Sequence, residues 1–176
     1  MSLFPIPGDL LGHTSGLPDY WKSSLFQAEF DADPSRRWQP EEMLRFAGEM
    51  SPACTEDLVG DDDCFSYADT NYVVLGLVIQ HLAGDSLEEV LRWRIYDRLG
   101  LSCTWMKWNE SPPATCTGRL SSRYEGRLDV TVLPNQSADW SGGGLATTLD
   151  DLAVFMRSLV QGKLIQDSGL MGELLK

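Results

Sequence analysis

The pattern of apolar and polar residues predicts several helices and few strands. Nearly every position from 70 to 83 is apolar, which is typical of a helix that is buried on most of its sides, and Gly84 follows as a helix-ending glycine. Residues 148–151 (TLDD) begin an amphipathic helix, and Gly162 lies beyond its end. The apolar face of that helix consists of Leu152, Phe155, Met156 and Leu159.

Two more segments carry helix-start signals. Residues 40–47 begin with a proline, which is favoured in the first turn of a helix. Glu41 and Glu42 follow it, and their negative charges are favoured at the positive N-terminal end of the helix dipole. Residues 86–89 (SLEE) match a capping box, in which the serine and glutamate side chains each accept a hydrogen bond from a backbone N–H that has no partner within the helix. The helix that starts there should run to about Leu99 and stop at Gly100.

Strand signals are weak by comparison. Residues 127–133 alternate moderately and favour one short strand or hairpin. Residues 18–40 and 109–118 are predicted as loops. The fold class expected is therefore mainly α, with at most a short hairpin. The length of 176 residues predicts a single helical domain over residues 1–176, of which residues 1–3 would be a vector remnant.

Composition excludes several classes of function. The net charge of −12 argues against nucleic acid as a partner, because phosphate backbones are bound by clustered Lys and Arg. No apolar run approaches the ~20 residues that span a bilayer, so no membrane partner is expected. No signal peptide is recognised, and the sequence leaves the location unknown.

The four cysteines and two histidines make a zinc site improbable, since no C-x-x-C spacing occurs. Buried or free thiols are the favoured interpretation, because cysteine packs as a small apolar residue. The alternative is two disulfides, most simply Cys54 with Cys64 and Cys103 with Cys116. Residues 56–63 hold five acids but lack the residue order of a calcium loop, so neither a metal nor a cofactor is predicted.

Three segments carry a resemblance to a known family. They are residues 10–20 (LLGHTSGLPDY), 65–76 (FSYADTNYVVLG) and 139–148 (DWSGGGLATT). They resemble the class C-like branch of the serine β-lactamase and penicillin-binding-protein superfamily, which includes D-alanyl-D-alanine carboxypeptidases and esterases. The resemblance implies the helical subdomain of that fold, which is inserted in an α/β sandwich.

The family's Tyr-x-Asn motif corresponds to Tyr67, Ala68 and Asp69. The resemblance implies that Tyr67 shares in proton transfer with the lysine of a Ser-x-x-Lys motif, and that Asp69 accompanies it as a second catalytic residue. Because an aspartate can only accept hydrogen bonds, Asp69 puts lactamase or peptidase specificity in doubt. The structural alternatives are an exposed tyrosine at a helix entrance and an aspartate that caps the helix from residue 70.

The other matched segments imply supporting roles. Residues 10–18 should form a buried helix end and turn beneath the site, and Ser15 is not expected to be a nucleophile, since the G-x-S-x-G order would need serine at Thr14. The three consecutive glycines at 142–144 predict a loop that lines the substrate cleft, because glycine adopts positive φ readily and lets the backbone approach a ligand closely. The cleft-lining residues are Ser141, Gly142, Gly143 and Gly144.

No serine lies three residues before any of the four lysines, so the sequence contains no Ser-x-x-Lys motif, and it contains no Lys-Thr-Gly motif. The chain is therefore interpreted as the central part of a serine hydrolase whose intact parent cleaves a small amide or ester, and it is expected to be inactive alone. A helical module that binds a ligand or partner is the alternative. Surface exposed by truncation predicts self-association. The family is often periplasmic or secreted.

Overall fold

A computed structural model of the chain describes residues 5–116 and 120–174. The predicted vector remnant lies outside them. The α-helices are α1 Pro7–Leu11, α2 Ser24–Ala32, α3 Pro40–Gly48, α4 Asp69–Ala83, α5 Leu87–Leu91, α6 Asp97–Leu99, α7 Trp140–Gly143, α8 Leu149–Val160 and α9 Ser168–Leu174. The strands are β1 Trp105–Met106, β2 Tyr124–Glu125, β3 Leu128–Asp129 and β4 Leu145–Ala146.

Helices dominate the regular structure, as the sequence predicts. The strands form two short antiparallel pairs, β1 with β4 and β2 with β3. The β2–β3 hairpin overlaps the predicted strand region, whereas the β1–β4 pair was not predicted. Of the helices that the structure describes, none has both the length and the apolar character needed to cross a membrane.

The described residues divide into two compact units, and the expectation of one domain stays a prediction. The first unit comprises residues 5–87 and 120–144 and contains α1–α4, α7 and the β2–β3 hairpin. The second comprises residues 88–116 and 145–174.

The core of the first unit is aromatic. Ring centroids of neighbouring members lie 4.9 to 5.9 Å apart, in the range of favourable aromatic pairs. Its members are Tyr20, Trp21, Phe26, Phe30, Trp38 and Phe46. The 3₁₀ segment Pro134–Asp139 is fastened to this core, because the Tyr20 hydroxyl donates to the carbonyl of Ala138 at 2.8 Å.

Helix α2 corrects the prediction that residues 18–40 form a loop. Ser23 caps it by accepting a hydrogen bond from the N–H of Phe26 at 3.3 Å. Phe26 and Phe30 lie one helical turn apart, so both rings reach the same aromatic core.

The second unit is organised around a buried carboxylate. Asp151 in α8 accepts hydrogen bonds from the N–H of Cys103 and the hydroxyl of Thr104, both at 2.8 Å. Thr148 caps α8 through the N–H of Asp151 at 3.1 Å, as its sequence predicts. The helix predicted to end at Gly100 does end there, but Arg92–Tyr96 within it form a π-helical segment that the sequence did not reveal.

The cysteines correct the favoured expectation of buried or free thiols. Cys54 pairs with Cys64 and Cys103 with Cys116, with Cα atoms 5.5 and 4.9 Å apart. Each bridge lies within one of the two units.

Helix α4 is less buried than its apolar sequence predicts. Its first half is enclosed, with Val73 and Gly76 buried, whereas Val78, Ile79 and Leu82 are exposed. Helix α7 covers the buried half, because the ring of the buried Trp140 and the side chain of Ser141 lie against Gly76.

This close contact between α4 and α7 makes a testable prediction. A Cβ atom at residue 76 would lie 2.8 Å from Cζ3 of Trp140 and 2.9 Å from Cβ of Ser141, so Gly76→Ala forces the two helices apart. We expect the free energy of unfolding to fall by about 1–3 kcal/mol in urea denaturation.

Gly48→Ala is the matched control. Gly48 is the last residue of α3, and nothing lies within 4 Å of a Cβ atom there. Its unfolding free energy should stay the same or rise by up to about 1 kcal/mol. Equal unfolding free energies for the two variants would contradict the packing described.

Candidate active site at the start of helix α4

Tyr67 and Asp69 form a hydrogen-bonded pair at the beginning of α4. The hydroxyl of Tyr67 donates to Oδ1 of Asp69 at 2.8 Å. Asp69 is the first helical residue, and the extended residue before it is Ala68. Tyr67 is 54% exposed, so its phenol is accessible to a ligand.

The acidic surroundings of Tyr67 hold its proton in place. Its pKa is raised from the usual 10 to about 12, first because the hydroxyl donates to the Asp69 carboxylate and then because of burial. The charges of Asp69 and Asp19 act in the same direction, since both would repel a phenolate. In this chain Tyr67 is therefore a weaker acid than an ordinary tyrosine.

Asp69 does not cap its own helix, which corrects the structural alternative considered for it. Its carboxylate is turned to Tyr67, and the side chain of Ala68 at the cap position makes no hydrogen bond. Asp19, which is buried, accepts a hydrogen bond from the backbone N–H of Trp21 at 3.2 Å and so caps the 3₁₀ segment Tyr20–Lys22. Burial raises the pKa of Asp19, and the charge of nearby Asp69 adds to the rise, against the lowering effect of the backbone N–H groups of Trp21 and Asp69.

Thr70 ties the same helix start to the chain some fifty residues earlier. Its hydroxyl donates to the carbonyl of Pro18 at 2.7 Å and accepts from the N–H of Tyr20 at 3.1 Å. Residues 10–18 thus contact the helix that begins beneath the Tyr67–Asp69 pair.

Three polar residues in this region, His13, Ser15 and Asn71, were not predicted as part of the site. Nδ1 of His13 lies 3.0 Å from Nδ2 of Asn71 and accepts a hydrogen bond from the N–H of Ala68 at 3.3 Å. Ser15 is buried, and its hydroxyl donates to Oδ1 of Asn71. The HTSG stretch in the sequence is the signal for this cluster, although it gives no hint of the partner 56 residues away.

The glycine run forms a helix where a loop was expected. Gly142 and Gly143 belong to α7, and none of the three glycines has a positive φ; the unusual backbone is that of Trp140, with φ of +27°. A Cβ atom at Gly142 would lie 3.2 Å from Oδ1 of Asp69, so glycine there allows α7 to approach the carboxylate. Ser141 donates to the carbonyl of Tyr72 at 2.8 Å.

The structure brings the predicted residues together within the first unit. Tyr67, Asp69, Ser141 and Gly142 lie at the contact of α4 with α7. Across residues 5–116 and 120–174, no group of three or more His, Cys, Asp or Glu side chains is arranged to hold a metal ion. The groups brought together at the site are a phenol, carboxylates and the imidazole ring of His13.

Comparisons with known proteins agree on one family. A family model described as "Beta-lactamase" matches residues 7–173. A D-aminopeptidase from Brucella anthropi is 30% identical over 150 residues, which are 84% of this chain and 26% of that protein.

Solved structures give the same result. A D-stereospecific amidohydrolase from Streptomyces sp. superposes with a TM-score of 0.81 at 27% identity, over 96% of this chain and 50% of that chain. The D-amino acid amidase from Ochrobactrum anthropi SV3 superposes with a TM-score of 0.74 at 27% identity, over 94% of this chain and 46% of that chain. That amidase has also been solved with L-phenylalanine amide bound. The chain thus spans about half the length of these structures and about a quarter of the D-aminopeptidase.

The Tyr67–Asp69 pair makes a prediction about pH. Asp69→Asn removes the carboxylate that raises the pKa of Tyr67, so the pKa should fall from about 12 towards 10. The measurement is a titration followed by phenolate absorbance. Subtracting the curve of the Tyr67→Phe variant isolates the contribution of Tyr67 from those of the other tyrosines, of which the chain has five in all.

Asp150→Asn is the control, because Asp150 is an exposed acid of the second unit. It should leave the titration of Tyr67 unchanged. A Tyr67 phenol that titrates near 10 in the unmodified chain would contradict the hydrogen bond to Asp69.

Proposed function

The chain belongs to the beta-lactamase family, and on that premise we propose that it is the central helical part of a serine hydrolase that cleaves a small amide or ester through an acyl-serine intermediate. The observation that carries the proposal is the pair of Tyr67 and Asp69, held at the start of α4 and faced by Gly142 of α7. Tyr67 and Asp69 are the proposed catalytic residues. Ser141 and the glycines after it line the proposed substrate cleft.

In this proposal the phenol of Tyr67 transfers protons. Acyl transfer requires a nucleophile, a base that takes its proton, and donors that stabilise the oxyanion. A serine hydroxyl attacks the substrate carbonyl, and its proton passes through Tyr67 to the departing amine or alcohol. Water then cleaves the acyl-serine by the reverse proton path.

Such a role requires a positive charge near Tyr67. With a pKa of about 12, only about one Tyr67 in 10⁵ is ionised at pH 7, and the adjacent carboxylates keep it so. An ammonium from a Ser-x-x-Lys motif would pair with Asp69 and lower the pKa of Tyr67. Asp69, which only accepts hydrogen bonds, suits such a partner.

The substrate class follows from the relatives. The named relatives are a D-aminopeptidase, a D-amino acid amidase and a D-stereospecific amidohydrolase, and all three names describe hydrolysis of amides or peptides. We propose a small amide of a D-amino acid as the first substrate to test, with esters as weaker candidates.

A helical module that binds a ligand or partner is the alternative. The observation in its favour is that none of the four lysines follows a serine at the Ser-x-x-Lys spacing. Hydrolysis separates the two proposals, because a binding module would not form an acyl-enzyme.

The test begins with the 176-residue chain. Because it has no Ser-x-x-Lys motif, we expect no burst of product from p-nitrophenyl acetate or nitrocefin and no covalent adduct by mass spectrometry. A polypeptide that joins the chain to an upstream Ser-x-x-Lys segment and a downstream Lys-Thr-Gly segment should hydrolyse D-phenylalanine amide. In that polypeptide Tyr67→Phe should lower kcat by about 10²- to 10⁴-fold, the usual contribution of a general acid or base.

Tyr124→Phe is the matched control, since Tyr124 is a similarly exposed tyrosine of the same unit. It should leave kcat unchanged. A stoichiometric adduct on the chain alone, or full activity of Tyr67→Phe, would defeat the proposal. A joined polypeptide that binds D-phenylalanine amide without cleaving it would favour the binding module.

We also propose that the chain self-associates through apolar side chains of α4. Val78, Ile79 and Leu82 are exposed on this helix, Leu82 to 79%, and exposed apolar patches favour association. Sedimentation velocity should show dimers that increase with concentration and decrease in Leu82→Gln. A stable monomer at high concentration would contradict this.

A further inference from the structure

His13 contacts the chain on both sides of Tyr67. Its carbonyl accepts a hydrogen bond from the N–H of Ser66 at 2.9 Å, and its Nδ1 accepts from the N–H of Ala68 at 3.3 Å. Its ring lies against the ring of Tyr67, with centroids 4.5 Å apart and planes inclined by 40°. One residue thus contacts the residue before Tyr67, the residue after it and Tyr67 itself.

The backbone of His13 adopts an unusual conformation to do so. Its φ is +58°, in the left-handed region that a non-glycine residue adopts at some cost. Histidine, asparagine and aspartate are the residues most often found there. The cost indicates that the position of this side chain is fixed by several contacts.

The hydrogen-bond network determines which ring nitrogen carries the proton. A backbone N–H can only donate, so Nδ1 of His13 must accept from Ala68. The Ser15 hydroxyl donates to Oδ1 of Asn71, and Nδ2 of Asn71 faces His13. With two donors facing Nδ1, the ring is neutral and protonated at Nε2.

Two contacts hold the side chain of Tyr67. It is more than half exposed, its hydroxyl donates to Asp69, and its ring lies against the ring of His13. We propose that His13 is a positioning residue for Tyr67, with its neutral ring as the surface against which the phenol is held. The importance of this role for catalysis rests on the proposed function, whereas the positioning itself does not.

The variants separate the ring from the acceptor. His13→Asn keeps an acceptor close to the position of Nδ1 and tolerates the positive φ, but it lacks the ring that contacts Tyr67. His13→Ala removes both. His81→Asn is the matched control, because His81 is the other histidine of the chain and is exposed on α4.

The measurement is nuclear magnetic resonance of the 176-residue chain. In the unmodified chain, the ¹⁵N shifts of His13 should report a bare Nδ1 and a protonated Nε2. In His13→Asn, the fold should persist while the ring resonances of Tyr67 shift and its side-chain relaxation shows faster motion. His81→Asn should leave both unchanged.

In the joined polypeptide described above, His13→Asn should lower kcat by about 10- to 100-fold with little change in KM, as expected when a catalytic group is misplaced by about 1 Å. An Nδ1-protonated His13, or Tyr67 resonances that are the same in His13→Asn and His81→Asn, would overturn the proposal even if His13→Ala fails to fold. A joined polypeptide without activity would count against the proposed function and leave the resonance result intact.

Discussion

The backbone N–H groups in the first turn of α4 have no carbonyl partner within the helix. The groups that accept their hydrogen bonds position the residues of the site. Helix starts are usually capped by a residue of the same segment. Here the ring of His13 accepts a hydrogen bond from the N–H of Ala68, and the hydroxyl of Thr70 bonds to the carbonyl of Pro18 and the N–H of Tyr20. A segment some fifty residues earlier in the chain thus holds the start of the helix, and the carboxylate of Asp69 accepts from Tyr67.

This arrangement gathers negative charge around a phenol. Asp19 and Asp69 both raise the pKa of Tyr67, and Asp19 is itself held with a raised pKa by burial. A site of this kind keeps the proton on Tyr67, whereas acyl transfer needs a group that gives up and regains a proton near neutral pH. The electrostatics therefore agree with the proposal that a cation completes the site, since one positive charge beside Asp69 would oppose the effect of the carboxylates.

Local signals in the sequence predicted the elements whose causes are local. Gly84 ends α4 with φ of +74°, and Thr148 caps α8, because a glycine and a threonine act within one turn of their own position. Helix α2 was missed, although Ser23 as a cap and the spacing of Phe26 and Phe30 were available as local signals.

The site was predictable only as far as the family resemblance reached. Tyr67 and Asp69 were named from it, and the structure brings them into contact. The contact of the His13 ring with Tyr67 and the hydrogen bond from Ser15 to Asn71 depend on residues brought together by the tertiary fold. No local pattern predicts such contacts, because the chain has many residues of the same types and a short motif does not say which of them the fold brings together.

Helix α4 shows how sequence and burial can disagree in an informative way. Its apolar residues continue through Val78, Ile79 and Leu82, yet these side chains are exposed, while Val73 and Gly76 of the first half are buried by contacts within the first unit. Burying an apolar side chain stabilises a protein by about 1.5–3 kcal/mol, so an apolar face left in water forgoes that stabilisation. The composition of the second half is thus that of a helix with a further contact surface. Together with the high pKa of Tyr67, which a positive charge would lower, it supports the proposal that this chain functions as part of a larger hydrolase.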